Sequence, residues 1–433
     1  MALNSETLEP HQEQFQESLK QRYIKLAVLV VVAGNIYPLI YLRQNFEVSI
    51  LEALGITSSQ LGQNYAMLGI LYMLTYLPSG WLADRVSPRI LMSFSLLLAG
   101  LLGVWFASLP SFHSTQIIFA GWGIAAGLTF WSALIKATSL LAKPQEQGRF
   151  FGILDGGRGL VEAILATIAV AMFAYFTSTL NQDTPTALVK VIWLYVAMML
   201  ILAPIAYFIL DDPKSDNLKQ VKQKQSSSNV LADLKTVASK PEIWLCGICI
   251  LTGYQLFFAT YSFSAYMQIH YGLSAVAVAT ITTAKLWMRP IGAVAAGFAG
   301  DFLDREKVLG ILLVAASVAL SVLTVLPISI GAFVLLAVVL IIGLLTYAVR
   351  GIFWSTLESC NVSNSIKGLA IGLISLLGYS PDVYLPLLSN YLFENYPGKQ
   401  AYEIYFNIIA GMGILGALAA WKLKRISTSK FGS

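Results

Sequence analysis

The chain has 433 residues, 57% hydrophobic and only 12% charged, with a net charge of +5 and a mean hydropathy of +0.69. A soluble domain needs roughly 25% charged residues to cover its surface, so most of this surface faces something other than water. Basic residues sit at segment ends and are not clustered with aromatics, which excludes nucleic acid as a partner. The long, uniformly apolar runs exclude the alternating strands of a membrane barrel.

Residues 1–25 form a polar tail carrying Glu6, Glu9, Glu13 and Glu17, the opposite of a secretory leader, and are expected in the cytosol. Twelve runs follow that are long enough to cross a bilayer as helices. In the first half, 26–210, spans 1 to 6 fall at 26–48, 61–82, 89–109, 115–141, 149–176 and 187–210. The linker 211–241 is rich in Lys, Gln and Ser and carries no span; its Val230, Leu234 and Val237 suit one face of a short helix lying on the membrane surface. In the second half, 242–422, spans 7 to 12 fall at 242–269, 275–298, 306–326, 330–357, 366–392 and 401–422, and 423–433 is a second cytosolic tail. Cys246 and Cys249 are spaced as CxxC, but inside an apolar run that suits neither zinc nor redox chemistry. No metal site and no cofactor are expected.

Lys and Arg near span ends stay on the cytoplasmic side. With the N-terminus inside, nearly all of them fall inside, Lys190 and Lys399 being the exceptions. An integral protein of the cytoplasmic membrane, both termini cytosolic and the bilayer as its partner, is expected. A monomer is expected.

The halves repeat. Gly80-Trp-Leu-Ala-Asp84 recurs 217 residues on as Gly297-Phe-Ala-Gly-Asp301, Phe130-Trp131-Ser132 recurs 223 on as Phe353-Trp354-Ser355, and Gly148-x-x-x-Gly152 recurs 220 on as Gly368-x-x-x-Gly372. Three matches in one order at nearly one offset argue for a duplicated six-span unit, with a site between the halves.

The loop Gly80-Trp-Leu82-Ala-Asp84-Arg85-Val-Ser87-Pro88-Arg89 resembles the loop after span 2 of the major facilitator superfamily, roughly G-x-L-x-D-R-x-G-R-[RK], with Ser87-Pro88 replacing Gly-Arg. Ser and Pro are sound first residues for span 3. Tyr41-Leu-Arg43-Gln-Asn45-Phe46 looks like the span 1 signature of the organophosphate:phosphate antiporters within that superfamily. The resemblance implies an all-α membrane fold of about twelve helices in two six-helix halves, and a cavity lined by spans 1, 4, 7 and 10. It also implies a substrate contact for Arg43. Span 7 lacks the antiporters' second arginine, and Tyr76 stands where they carry a lysine. The chain looks like a divergent branch to which no single substrate carries over.

Charges inside a bilayer cost about 2.5–3.5 kcal/mol each on insertion scales and face a cavity or a partner. Span 5 holds Asp155, Arg158 and Glu162 on one face, either a self-neutralised packing cluster or part of a gate. Span 8 holds Lys285 and Arg289 on one face, whose counter-anion is Asp382 on span 11 or the substrate itself. Span 10 holds Arg350, with Trp354 and Glu358 at following helical steps, and span 4 holds Lys136. Lys136 and Arg43 either line the path or snorkel to an interface. Asp382 lies 220 residues after Glu162, in the broken-helix context Gly378-Tyr-Ser-Pro381, where an acid suits proton exchange.

Deep bases outnumber deep acids, which favours an anionic solute. The expected substrate-binding set is Arg43, Lys136, Lys285, Arg289 and Arg350, with Tyr37, Trp131 and Trp354 around an organic body. The expected gating and coupling set is Asp84, Arg85, Arg89, Asp155, Arg158, Glu162, Asp301 and Asp382. Asp84 should accept hydrogen bonds at a helix N-terminus and hold the inward gate shut, Asp301 doing less because no arginine follows it directly. The function expected is secondary transport of a small phosphorylated, carboxylated or sulfonated solute by rocking of the halves, with protons or phosphate as coupling ion. Proton-coupled export of drugs or other solutes, and a transporter-like sensor, are the alternatives. No Walker motif is present, and neither HExxH nor Gly-x-Ser-x-Gly, so neither an ATPase nor an intramembrane enzyme is expected.

Overall fold

Lipid offers the backbone no hydrogen-bond partner, so each apolar run folds as a helix. The computed structural model describes residues 18–210, 230–273, 281–282, 284–327 and 329–431. Among these, every regular element is helical, and eleven helices are long and apolar enough to cross a membrane. Spans 1 to 6 occupy Leu19–Ile40, Gln60–Arg85, Pro88–Phe106, Phe112–Leu141, Pro144–Thr179 and Thr184–Ile209. Spans 7 and 9 to 12 occupy Pro241–Ser262, Arg305–Val325, Phe333–Cys360, Lys367–Ser389 and Lys399–Thr428. The helix Met288–Leu303 stands at the place of span 8; residues 275–280 and 283, which the sequence assigns to that span, lie outside the described residues, as do 274 and, in the linker, 211–229.

Large apolar side chains such as Leu74, Ile117, Phe208 and Val325 are exposed along the spans, as befits a surface bathed in hydrocarbon. Polar bonds gather at one end of the bundle. Arg22 near the chain start bonds the Leu141 carbonyl and pairs with Glu146, Lys240 bonds the Asn361 carbonyl, and Lys424 near the chain end pairs with Asp304. This end, which also carries Arg85, Arg305 and Lys367, is the basic face.

Local sequence explains most helix limits. Ser18 with Gln21, and Thr57 with Gln60, form reciprocal capping boxes at spans 1 and 2. Pro88 opens span 3 at its first position after Ser87, whose hydroxyl makes no capping bond. Span 1 departs from its expected 26–48. Its helix ends at Ile40, after a turn a separate helix runs Arg43–Leu54, and Pro38 weakens the last turn by removing a donor and crowding the preceding carbonyl. The break turns Arg43 off the axis of span 1. Span 12 continues to Phe431 because Lys422, Lys424 and Arg425 are good helix formers. In the linker, Val230–Ala238 is a short helix that buries Val237 and leaves Leu231 exposed.

Two helices lose regularity at matching places in the repeat. Span 4 is a π-helix over Ile124–Trp131, and span 10 tightens to a 3-10 helix over Phe353–Cys360. Such stretches mark strain or function; the first ends on Phe130-Trp131 and the second begins with Phe353-Trp354-Ser355, the two copies of the repeated motif. Span 11 breaks at Tyr379 and Ser380 and restarts at Pro381, as the Gly-Tyr-Ser-Pro run implies.

Candidate functional site

The repeated motifs meet each other crosswise. Span 2 packs on span 11 and span 5 on span 8, so each half touches the other through its glycine motifs. A Cβ built on Gly152 would lie 2.6 Å from the Ala293 carbonyl and 2.9 Å from the Gly297 Cα; one on Gly372 would lie 2.6 Å from the Tyr76 carbonyl. Only glycine permits these backbones to approach so closely.

The two aspartates close this contact. The first N–H groups of a helix have no partner within it and carry partial positive charge. Asp84, at the end of span 2, accepts from the Gly368 and Leu369 N–H groups of span 11 at 2.8 and 2.9 Å. Asp301, at the end of span 8, accepts from the Gly148 and Arg149 N–H groups of span 5 at 2.8 and 3.0 Å. Each also takes a cation, Asp84 from Lys136 Nζ at 2.5 Å and Asp301 from Arg149 Nε at 2.8 Å. The sequence expects a lesser part for Asp301. The geometry gives it the same two backbone donors and a cation, because Arg149 on the facing helix supplies what no residue directly after Asp301 does. Arg305 strengthens this side by donating to the Pro144 carbonyl at 2.5 Å. Lys367 donates to Ser139 at 3.3 Å on the other side.

At mid-depth, Arg289 of span 8 reaches across to span 5. Its Nη2 and Nε lie 2.9 and 3.2 Å from the two Asp155 oxygens, and its Nη1 lies 2.7 Å from Glu162. Arg350 of span 10 approaches the same Asp155 at 3.7 Å and lies 4.2 Å over the Phe257 ring. Arg158 lies 3.4 Å from Glu162 and 4.8 Å over the Tyr37 ring. Asp155 is therefore the hub of an inter-half network, and the anion facing Arg289 is Asp155 with Glu162 rather than Asp382. Span 5 neutralises itself in part, through Arg158 and Glu162, and its two acids also pair with Arg289 of the other half.

Beside this network lies a small cavity of about 20 Å³ whose walls include Asp155, Arg158, Arg350, Trp131, Trp354 and Tyr379. That volume suits about one water molecule, so the site is contracted in this conformation. The tryptophans of the repeated motif meet edge to face, 6.3 Å between centroids. Trp131 donates to Ser375 at 3.1 Å and Trp354 to the Tyr379 hydroxyl at 3.0 Å. The Nε groups of Arg158 and Arg350 are buried without a hydrogen-bond partner. A ligand bearing paired oxygens suits such donors.

The other expected site residues go elsewhere. Lys136 pairs with Asp84. Arg43 is exposed and lies 4.5 Å over the Tyr65 ring. Buried Lys285 donates to the Thr260 hydroxyl at 2.8 Å and lines no part of the cavity. Arg85 stacks on Trp81 and Arg89 on Tyr207, both on the basic face. Glu358 pairs with Lys367 at 3.5 Å. Asp382 accepts from the Tyr254 hydroxyl at 2.6 Å. Sequence reasoning missed Arg149, Lys367, Ser375 and Tyr379. The repeat holds a signal for Lys367 and Arg149, which flank the first glycine of the two G-x-x-x-G copies.

The family model described as Major Facilitator Superfamily matches residues 28–384. Two relatives are similar over nearly their whole lengths. "Inner membrane protein YihN" of Escherichia coli (strain K12) is 26% identical, covering 95% of this chain and 97% of its own. "Inner membrane protein YqcE" of the same organism is 28% identical, covering 93% and 94%. The crystal structure of the transporter FucP in the outward conformation superposes with a TM-score of 0.69, 15% identity, and coverage of 92% of this chain and 98% of that one. At that identity the likeness shows the fold alone.

Proposed function

The chain belongs to the major facilitator superfamily, and from that premise we propose that it carries a small organic anion across the cytoplasmic membrane by rocking of its two six-helix halves. It is a multi-pass membrane transporter of about twelve helices, and in this reading its halves are 26–210 and 242–422. The observation that carries the anion reading is the pair Arg158 and Arg350, one from each half, lining one aromatic cavity, each with a buried Nε that makes no hydrogen bond, that of Arg158 being 3.4 Å from Glu162. A carboxylate, phosphate or sulfonate oxygen bridging them would bind both halves at once. Trp131, Trp354 and Tyr379 would hold its organic body.

The positive-inside rule assigns the basic face to the cytosol. The Asp84 and Asp301 latches then close the cytosolic gate. Transport to the cytosol requires both latches to release, each giving up charge-assisted bonds worth about 1.5–3 kcal/mol apiece. Solute bridging Arg158 and Arg350 competes with Glu162 for the first and with Asp155 for the second, and loosens span 5 from span 10.

Thermal-shift screening of the purified protein against phosphate esters, carboxylates, sulfonates and amino acids tests the substrate class, since a ligand that binds only the folded state raises apparent stability. Stabilisation by neutral sugars or organic cations, and by no anion, would remove the reading.

A further inference from the structure

The network around Asp155 accounts for two of the three deep acids, and the third stands apart. Asp382 opens the second segment of span 11, directly after the Tyr379–Ser380 break. Among the described residues no lysine or arginine forms an ion pair with it, and its carboxylate accepts one side-chain hydrogen bond, from Tyr254 at 2.6 Å. Resting on the reading of Arg158 and Arg350 as the anion site, we infer that the solute is zwitterionic: besides its anionic group it carries an organic ammonium, which Asp382 and the tyrosines around it receive.

Charge and lining both fit an ammonium. An ionised carboxylate offers about four acceptor positions, and Tyr254 fills one of them. Tyr254 and Tyr261 lie within electrostatic reach of Asp382 from span 7, and Tyr41 and Tyr76 from the other half. Aromatic ring faces are negative, so rings gathered beside a carboxylate attract a cation, and alkylammonium groups suit such cages. A hard metal cation needs a fuller shell of oxygens, and two nearby phenols are already engaged, Tyr384 with Gln255 and Tyr379 with Trp354. The place is open to a solute. Asp382, Tyr41 and Tyr254 are partly exposed and Tyr261 is exposed. Tyr261 also lies within reach of Arg350, Arg289 and Glu162, which puts its exposed ring on the inner side of the bundle and not on the lipid side.

One ring separates the ammonium end from the anion end. Arg350 lies 5.9 Å over the Tyr254 ring, and the hydroxyl of that ring holds Asp382. Arg350 is the cation that faces Asp382, but it is committed to Asp155 at 3.7 Å and to the Phe257 ring at 4.2 Å. On span 12, Lys399 is paired with Glu403 at 3.0 Å. Tyr379 packs perpendicular to Tyr254 at 4.8 Å and to Trp131 at 5.3 Å, so an unbroken aromatic wall runs from Asp382 to the cavity. A short solute lying along this wall places its anionic oxygens on Arg158 and Arg350 and its ammonium on Asp382. Each end then meets the opposite charge in a region where an unpaired charge is costly. A solute without the ammonium leaves Asp382 facing its own negative charge.

The test measures binding to the full-length purified protein by calorimetry, with probes in matched pairs. Phosphocholine, γ-butyrobetaine and trimethylammonio-propanesulfonate are each compared with the tert-butyl isostere in which carbon replaces the ammonium nitrogen. Shape is kept and only the positive charge is lost. In the pairs that bind, the zwitterion should bind about tenfold or more tightly than its isostere. Asp382→Asn should weaken the zwitterion by about tenfold and change the isostere less than about threefold. Tyr261→Leu, at an exposed ring, should reduce the preference in the same direction, and it supplies the second variant should Asp382→Asn not fold. Arg350→Ala should weaken both members of a pair alike. Equal binding of zwitterion and isostere in every pair that binds, or a preference left unchanged by Asp382→Asn and by Tyr261→Leu, overturns this inference alone. Binding of tetramethylammonium with no binding of any anionic probe overturns the anion reading on which it rests, and binding of no probe at all overturns both.

Discussion

Arg289 of one half holds both oxygens of Asp155 in the other, at 2.9 and 3.2 Å, in a region the sequence assigns to the middle of the bilayer. The pair is buried, and Arg350 leans on the same carboxylate. Removing one partner of such a pair costs about 3–5 kcal/mol because an uncompensated charge remains. Asp155→Ala should therefore lower thermal stability in detergent sharply, and adding Arg289→Ala should recover part of the loss. Strict additivity of the two losses would show that the residues are not coupled.

The two latches predict equal roles for Asp84 and Asp301. Ser139 is buried beneath the closed gate, bonded to Lys367. Ser139→Cys should react slowly with a water-soluble thiol reagent from the basic face. Adding either Asp84→Asn or Asp301→Asn should speed that reaction by a similar factor, about ten or more for the loss of one charged bond. Acceleration by Asp84→Asn alone would restore the lesser role that the bare motif implies for Asp301.

Arg350 and Arg43 separate the cavity from the interface. Once the screen has yielded a ligand, Arg350→Ala should raise its Kd roughly tenfold or more, since a buried charged hydrogen bond is worth ~1.5–3 kcal/mol. Arg43→Ala should change Kd less than threefold, because Arg43 stacks on Tyr65 away from the cavity, an exposed cation–π contact worth ~0.5–1 kcal/mol. A large effect of Arg43 would mean that it swings into the site in another conformation.

Topology is open to a direct check. Reporter fusions at Ser226, in the part of the linker outside the described residues, and at Ser433 should both report the cytosol, as the positive charge of the basic face requires. Opposite signals at the two positions would break the twelve-span arrangement.

Composition and run length were enough to give the helical class and close to the right number of spans, because a bilayer leaves an apolar chain few other folds. The repeat was legible too, since duplicated glycines and aspartates stand in the chain at a nearly fixed offset. Local chemistry placed the break in span 11 at Pro381 and the start of span 3 at Pro88. What a sequence cannot hold is which charge faces which across two halves. Asp155 and Arg289 are 134 residues apart; the sequence matches Asp155 as well to Arg158 on its own helix, and Arg289 to Asp382 or the substrate. Helix rotation and the crossed packing of span 5 on span 8 decide that question, through backbone approach at Gly152 and Gly297. The same packing sets Trp131 against Trp354 and turns Arg43 and Lys285 away, because ion pairing in a low-dielectric interior depends on ångström distances fixed only when the halves meet.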